Sequence, residues 1–474
     1  MLNLHLTDRS ALPAYMQLYT QMRDQIRSGG IPYGMRLPSV RSLMQQLGTS
    51  KTTVESAYHM LLTEGYAVSR PKSGIYAANP FGASQPAPPS AGTDRTLSGP
   101  LPKGPAEEAH RIDFRPSAVD AQLFPMRSWR KMLHDTLDRS GEKINKYGDP
   151  QGEYAFRTVL ADYLRNSRCV VCVPEQIVVG TGIHYSVGIL AKLFAGIGRI
   201  AFEEPGFAPV REHFNQYGFR IEPVPVTEKG ISVEALEQSC AEAVYITPSH
   251  QFPTGSVMPY PERERLLRWA QTKNAYIIED DYDGEFRYSV KPIPSLQGLD
   301  RDGRVIYIGT FSKVFTPALR MNYMVLPLTL VEKMNNVNYL FDGPSRIDQW
   351  AMQSFIEQGH WYRHIRRMRK TYGKKHHRFI GLIRDYLGEH VRITGHSAGL
   401  HIQLTVDTNR TSGILVERAA AEGVKVYDLQ EMWMKPVPSE RPQIYLGFGG
   451  VSEQQMEEGI VLLKKAWEGL WEEA

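Results

Sequence analysis

The sequence predicts an α/β protein of two domains: a small helical one closed by a β-hairpin, and a large one built on a mostly parallel sheet. Three observations predict it. Helical hydrophobic periodicity occurs three times before residue 65 and gives way to two short β-rich runs; a proline-rich stretch follows; beyond it, β-rich runs alternate with helical ones. A length of 474 residues fits more than one core, and 42% hydrophobic with 22% charged residues is a globular composition. No run of about 18 uncharged apolar residues exists, since Lys192 and Arg199 break the best stretch, Ile189 to Phe202, so no membrane span is expected. The segment MLNLHLTDRS carries Asp8 and Arg9 where a secretory signal needs an apolar core, and three cysteines make no disulfide framework. A cytoplasmic protein is expected.

In the small domain, Tyr15, Leu18, Tyr19, Met22 and Ile26 recur at helical spacing, and Val40, Leu43, Met44 and Leu47 predict a second helix. Thr49 or Ser50 caps a third, with Val54, Ala57, Tyr58, Leu61 and Leu62 on its buried face and Gly65 at its end. Tyr66 to Ser69 and Ile75 to Ala77 read as two strands around a Pro-Lys-Ser-Gly turn. Two helices joined by Gly48-Thr49-Ser50 and followed by a hairpin make a winged helix-turn-helix over residues 1–78. The exposed positions of the third helix, Lys51, Thr52, Thr53, Glu55 and Ser56, suit base edges and phosphates in a major groove. Residues 1–78 hold eight Lys/Arg against four Asp/Glu, an excess equal to the +4 of the whole chain, which points this segment at a polyanion. On helix pattern alone, a three-helix protein-binding module fits as well.

Residues 79–110 contain seven of the 31 prolines and few large apolar residues, the composition of a linker. Extended, it reaches on the order of 90 Å at about 3 Å per residue. In the large domain, 111–474, five β-rich runs end in distinctive polar phrases. Ile177 to Gly180 leads into Thr181-Gly182, Arg199 to Phe202 into Glu203-Glu204-Pro205-Gly206-Phe207, and Ala243 to Thr247 into Pro248-Ser249-His250. Ala275 to Ile278 leads into Glu279-Asp280-Asp281-Tyr282, and Val305 to Ile308 into Gly309-Thr310-Phe311-Ser312-Lys313. In a parallel sheet ligands sit outside the carboxyl ends of the strands, so these phrases are expected to converge on one pocket. A lysine for a Schiff base, an aspartate for a pyridinium nitrogen, a tyrosine for a phenolate oxygen, and hydroxyls, an arginine and helix-start N–H groups for a phosphate make the inventory for pyridoxal 5′-phosphate (PLP). The third glycine of a dinucleotide loop, a Walker A sequence and HExxH are all lacking. Cys169-Val-Val-Cys172 has no second pair and reads as buried strand packing, so no metal is expected. Arg363 to Arg378 holds eight Lys/Arg and no acid, either a solvated helix face or a second DNA-contacting surface.

The stretch LPSVRSLMQQLGTSKTTVESAYHMLLTEGY, Leu37 to Tyr66, closely resembles the DNA-binding module of the GntR family. The resemblance implies that Arg36, Arg41, Lys51 and Thr52 face DNA, with Lys72 and Gly74 on the wing; Lys72 reads equally as a solvated turn residue. Lys51 stands where Arg is usual, which keeps phosphate affinity and loses bidentate base reading. EDDYDGEFRY, Glu279 to Tyr288, and GTFSKVFTPALRMNY, Gly309 to Tyr323, resemble fold-type I aminotransferases, specifically the aminotransferase-like domain of MocR-type regulators. The architecture that this implies is a winged helix-turn-helix plus a fold-type I aminotransferase-like domain, with flanking helices and a small C-terminal subdomain. By the resemblance Lys313 is the Schiff-base lysine, Asp280 pairs with the ring nitrogen and Tyr282 contacts the ring's 3′ oxygen. Thr310, Ser312 and Arg320 match phosphate positions, Phe207 the aromatic stacked on the ring, and Tyr147 a tyrosine that reaches the phosphate across a dimer interface.

Three departures bear on function. Phe252 stands where aminotransferases have an Asn on the ring oxygen. Ile183 and His184 replace a Ser-Gln pair, so that Gly182, Ile183 and His184 offer mainly backbone N–H groups to phosphate. Tyr445 occupies the place of the Arg that grips a substrate α-carboxylate, with Arg441 four residues earlier. A neutral hydroxyl is a poor grip for a buried carboxylate. The resemblance therefore implies a homodimeric, PLP-dependent transcriptional regulator that binds two half-sites of double-stranded DNA, senses PLP itself and controls vitamin B6 synthesis genes. Its alternatives are a regulator answering to an amino acid or dipeptide that reacts with bound PLP, an active aminotransferase with a DNA-binding appendage, and a constitutive DNA-binding protein that its large domain only dimerises.

Overall fold

A computed structural model describes residues 4–7, 12–79, 111–288, 293–334, 337, 343–428, 430–434 and 441–471. The chain divides into two units between Glu107 and Glu108, inside the proline-rich stretch. Most of that stretch, 80–110, lies outside the described residues.

The first unit contains three helices, Ala14–Arg27, Val40–Leu47 and Lys51–Thr63, then strands β1 (Ala67–Arg70) and β2 (Gly74–Ala77). Ser39 caps the second helix by accepting from Ser42 N at 3.1 Å, and Gly48 ends it at φ +59°, a conformation glycine adopts without penalty. Ser50, not Thr49, caps the third helix, accepting from Thr53 N at 3.2 Å. Leu18, Met22, Ile26, Leu43, Val54, Ala57 and Leu61 close one core. The hairpin is one residue out of step with the expectation on both sides of its turn. β1 runs to Arg70, which pairs with Gly74, because Lys72 takes up the turn at φ +60°.

The second unit begins at β3 (Ile112–Asp113). Its large sheet contains β4 (Ile177–Gly180), β5 (Arg199–Glu204), β6 (Arg220–Thr227), β7 (Gly230–Ile231), β8 (Ala243–Ile246), β9 (Tyr276–Asp281), β10 (Val305–Thr310) and β11 (Asn322–Val325). In space the order is β4-β11-β10-β9-β8-β5-β6-β7. The central pairs β10/β9, β9/β8, β8/β5 and β5/β6 are parallel; β11 runs antiparallel to both its neighbours. Both faces of a parallel sheet are covered, which is why β8 and β10 read as near-continuous apolar runs. A second, antiparallel sheet of β12 (Val391–Thr394), β13 (His401–Val406), β16 (Gln443–Gly447) and β15 (Tyr427–Asp428) forms the C-terminal subdomain, and β14 (Val424–Lys425) pairs in parallel with β3.

The basic run lies on the His360–Leu387 helix. Trp361, Ile365, Met368, Tyr372, Phe379 and Ile383 are buried, while Arg363, Arg366, Arg367, Lys370, Lys374 and Arg378 are exposed, the two sets alternating at helical period. Lys375 is buried and holds Asp120 Oδ2 at 2.7 Å and the carbonyl of Val451 at 2.8 Å. Cys169 to Cys172 is not a strand: Cys169 ends the Tyr154–Arg168 helix in the left-handed region and is exposed, while Val170 and Cys172 are buried. Among the described residues no helix is long and apolar enough to cross a membrane.

Candidate functional site

In the first unit the predicted DNA-facing side chains are on the surface. Arg41, Lys51, Thr52 and Lys72 are exposed, and Lys51 makes an i,i+4 pair with Glu55 at 3.3 Å that solvent screens. Arg36 and Gly74 come together, since Arg36 bridges Tyr76 and a Cβ on Gly74 would lie 3.1 Å from Arg36 Nε.

In the second unit a cavity of about 480 Å³ opens where strands of the large sheet end. Phe207, Thr247, Asp280, Tyr282 and Lys313 line it, each from just beyond or at the carboxyl end of β5, β8, β9 or β10. Lys313 donates from Nζ to the carbonyl of Pro116 at 3.1 Å. Burial draws the Lys313 amine down to about 8, so that near physiological pH a larger minority of it is neutral and nucleophilic than for an ordinary lysine. Asp280 accepts from the Tyr245 hydroxyl and, among the described residues, forms no ion pair. Burial away from a cation pushes the Asp280 carboxyl up to about 7. Tyr282 donates to the His250 carbonyl at 3.0 Å, with His250 Nδ1 also at 3.0 Å and Asp283 Oδ2 at 2.8 Å from that nitrogen. The carboxylate keeps the proton on Nδ1.

Phe207 meets Phe252 edge-on, ring centroids 5.4 Å apart. The Phe252 N–H is held by Thr247 Oγ1 at 2.9 Å, which itself donates to Glu203 at 2.7 Å. The phosphate candidates form a second group rather than part of the cavity wall. Gly182, at φ +137°, precedes the Ile183–Leu193 helix, and a Cβ there would fall 2.5 Å from Arg320 Nη2; the guanidinium rests where only glycine leaves room. Asn322 Oδ1 accepts from Gly182 N at 2.9 Å and fixes this helix start, while Ser312 N donates to Thr310 Oγ1 at 3.1 Å. Burial, His213 and Arg320 lower the titration of His184. Tyr147 is fully exposed and touches neither group.

Adjacent residues of β9 diverge because strand side chains alternate. Asp280 faces the cavity; Asp281 is buried against Arg168 Nε at 2.5 Å and the Tyr307 hydroxyl at 2.7 Å. Removing one partner leaves an uncompensated buried charge, so Arg168→Ala is expected to lower the unfolding free energy by about 3–5 kcal/mol. Denaturant melts measure it, as a lower midpoint at unchanged slope; a midpoint within error of wild type removes the pair from the stability of the sheet.

Sequence reasoning missed Tyr245, His401, Arg115, Lys425 and Tyr427. Tyr245 lies within the β8 run, where it reads as core; the others line the cavity from segments without a polar phrase, Arg115 and His401 singly and Lys425 with Tyr427 from one stretch. Arg441 is not in the wall and pairs with Asp407 at 3.1 Å.

A surface of exposed cations on a winged helix-turn-helix, ahead of a lysine and a buried aspartate at the strand ends of an aminotransferase scaffold, defines a class: a DNA-reading regulator built on an enzyme fold. Residues 14–77 match the model for bacterial regulatory proteins of the gntR family, and 117–404 match aminotransferase class I and II. The chain belongs to the MocR-type branch of the GntR regulators, which joins these two domains. It is 41% identical to the uncharacterized HTH-type transcriptional regulator YdeL of Bacillus subtilis, over 96% of this chain and 97% of that one. It is 32% identical to the probable rhizopine catabolism regulatory protein MocR of Rhizobium meliloti, over 97% and 95%. With the pyridoxine biosynthesis regulator PdxR of Corynebacterium glutamicum it shares 30% identity over 88% of each chain. A Pyrococcus horikoshii kynurenine aminotransferase superposes with a TM-score of 0.70 at 25% identity, covering 77% of this chain and 93% of that one.

Proposed function

We propose that the protein is a PLP-dependent, DNA-binding transcriptional regulator in which the aminotransferase fold serves as sensor, not enzyme, and PLP itself is the first signal. Residues 1–78 are its reader, 79–110 its linker and 111–474 its sensor. The observation that carries the reading is a buried Asp280 carboxyl without a cation, in the same cavity as the Lys313 amine. A pyridinium nitrogen supplies the missing positive charge and an aldehyde the partner for the amine. When bound, PLP supplies an electrophilic carbon and an electron-withdrawing ring. Phe207 would pack on the ring, Tyr282 would direct its hydroxyl to the 3′ oxygen, and Arg320, Ser312, Thr310 and the Gly182 to His184 backbone would take the phosphate. Tyr147 would reach the phosphate of the partner subunit in a homodimer.

Tyr445 and the outward pairing of Arg441 speak against a grip on an α-carboxylate, and hence against transamination of amino acids. Kinship with PdxR, a pyridoxine biosynthesis regulator, supports vitamin B6 genes as the target. A ligand moves DNA affinity only by favouring one state of the protein, so the test is DNA affinity at fixed salt with and without PLP. Affinity unchanged by saturating PLP overturns the sensor reading. For the DNA contacts, Arg41→Ala and Lys51→Ala are each expected to weaken binding across sequences and to flatten the salt dependence by about one unit of slope. A salt slope equal to wild type takes that residue out of the interface. A target with a single half-site is expected to bind much more weakly than one with two.

A further inference from the structure

His401 and Tyr445 stand side by side on the cavity wall. His401 opens β13 opposite Gly447, and Tyr445 lies two residues along β16, so the two are diagonal neighbours on one face of an antiparallel pair. Their rings stack at 5.3 Å and 20°. Both are almost fully buried, at 3% and 2% exposure, and both line the cavity. Among the described residues, His401 Nε2 and Tyr445 Oη are buried without a hydrogen-bond partner. Buried polar atoms are nearly always bonded, so two orphans on one cavity wall mark a group that arrives from outside. Phe252 closes the remainder of this wall, 5.7 Å from the His401 ring and 6.1 Å from that of Tyr445.

This wall carries no charge. Burial beside His250 and Lys313 keeps the His401 imidazole neutral, and burial keeps the Tyr445 phenol protonated. Of the cations elsewhere in the cavity, Arg115 pairs with Asp113 at 3.2 Å, Lys425 shares the lining with two carboxylates, Asp428 and Glu431, and Lys313 is the residue read as holding PLP. A carboxylate would lose its hydration here for two neutral contacts. A neutral group that both donates and accepts matches a phenol and an imidazole.

We propose that the cavity takes, beside PLP, a small primary amine whose neighbouring group is an uncharged donor and acceptor, a carboxamide or a hydroxyl, and that Tyr445 Oη and His401 Nε2 recognise that group. The proposal rests on the reading of Lys313 as the PLP-holding lysine and goes beyond it in naming a second ligand class.

The experiment uses the full-length, PLP-loaded protein and four matched probes: L-alaninamide, L-alaninol, L-alanine and isopropylamine. Calorimetric dissociation constants and the change in DNA affinity are the two readouts. The amide and the alcohol are expected to bind about tenfold or more tighter than either alanine or isopropylamine, because a site built to hydrogen-bond rejects an analogue that leaves it unpaired. Tyr445→Phe is expected to cost those two probes roughly three- to tenfold and to leave the others unchanged. It is not expected to lower the melting temperature, since the hydroxyl removed has no partner among the described residues. His401→Phe gives an independent second variant. Alanine binding as tightly as alaninamide, no binding of any probe, or amide binding unchanged in both variants overturns the proposal. A wild-type protein that gains no visible absorbance with PLP overturns instead the reading beneath it.

Discussion

Lys313→Ala protein is expected to form no borohydride-stable adduct with PLP, where wild type forms one and absorbs visible light. An imine requires an amine that is both neutral and within reach of the aldehyde. Lys313 answers to both: burial draws its amine down to about 8, which raises the neutral fraction well above that of an ordinary lysine, and the Pro116 carbonyl at 3.1 Å holds it at the cavity wall. The remaining lysine of the wall, Lys425, shares its surroundings with Asp428 and Glu431 and comes from the β14 strand, not from a strand end of the large sheet. Alanine at 313 removes a half-buried side chain and one hydrogen bond, a change the surrounding core tolerates, so the loss is expected without unfolding. Reduction with borohydride followed by peptide mapping reads it directly. An adduct of wild-type yield in the alanine variant would falsify the assignment of the site.

Asp280→Asn is expected to stabilise the cofactor-free protein and to weaken its hold on PLP. In the folded chain the Asp280 carboxyl keeps its proton up to about pH 7, against an ordinary value near 3.8. Between those limits the folded state binds a proton that the unfolded state has released, so stability falls as pH rises from about 4 to about 7 and stays low above that. Asparagine preserves the shape and the acceptor for Tyr245 and cannot ionise. At pH 8 the variant is therefore expected to be more stable by about 2–4 kcal/mol, a gain that vanishes near pH 4. With PLP present the order reverses, because the amide offers no charge to a pyridinium. Denaturant melts across this pH range test the first half and PLP dissociation the second; parallel pH curves for the two proteins refute the burial of an ionisable Asp280.

The small unit was legible almost residue by residue. Ser50, Gly48, the apolar face from Val54 to Leu61 and the hairpin all follow from neighbours within four positions, the range over which helix and turn energetics act. Its one error, the hairpin boundary, arose because Lys72 adopts a left-handed turn that a lysine does not announce. In the large unit the five polar phrases carried the same kind of information, because a parallel sheet obliges each strand to end on the same side. Four of them bring side chains to one cavity wall. The fifth, ending at Gly182, meets Arg320 outside it.

By itself the sequence determined the two folds, their order and the strand-end set around Asp280 and Lys313, since each rests on local period or on a contiguous phrase. Only the tertiary structure decided what stands opposite that set. Tyr245 reaches Asp280 from a neighbouring strand, Arg168 crosses 113 residues to neutralise Asp281, and His401 joins Tyr445 through the register of β13 on β16. Such pairs depend on chain segments whose separation in sequence is unrelated to their separation in space. Burial then fixes the protonation of each group, and burial is a property of the packed whole, not of any stretch of residues.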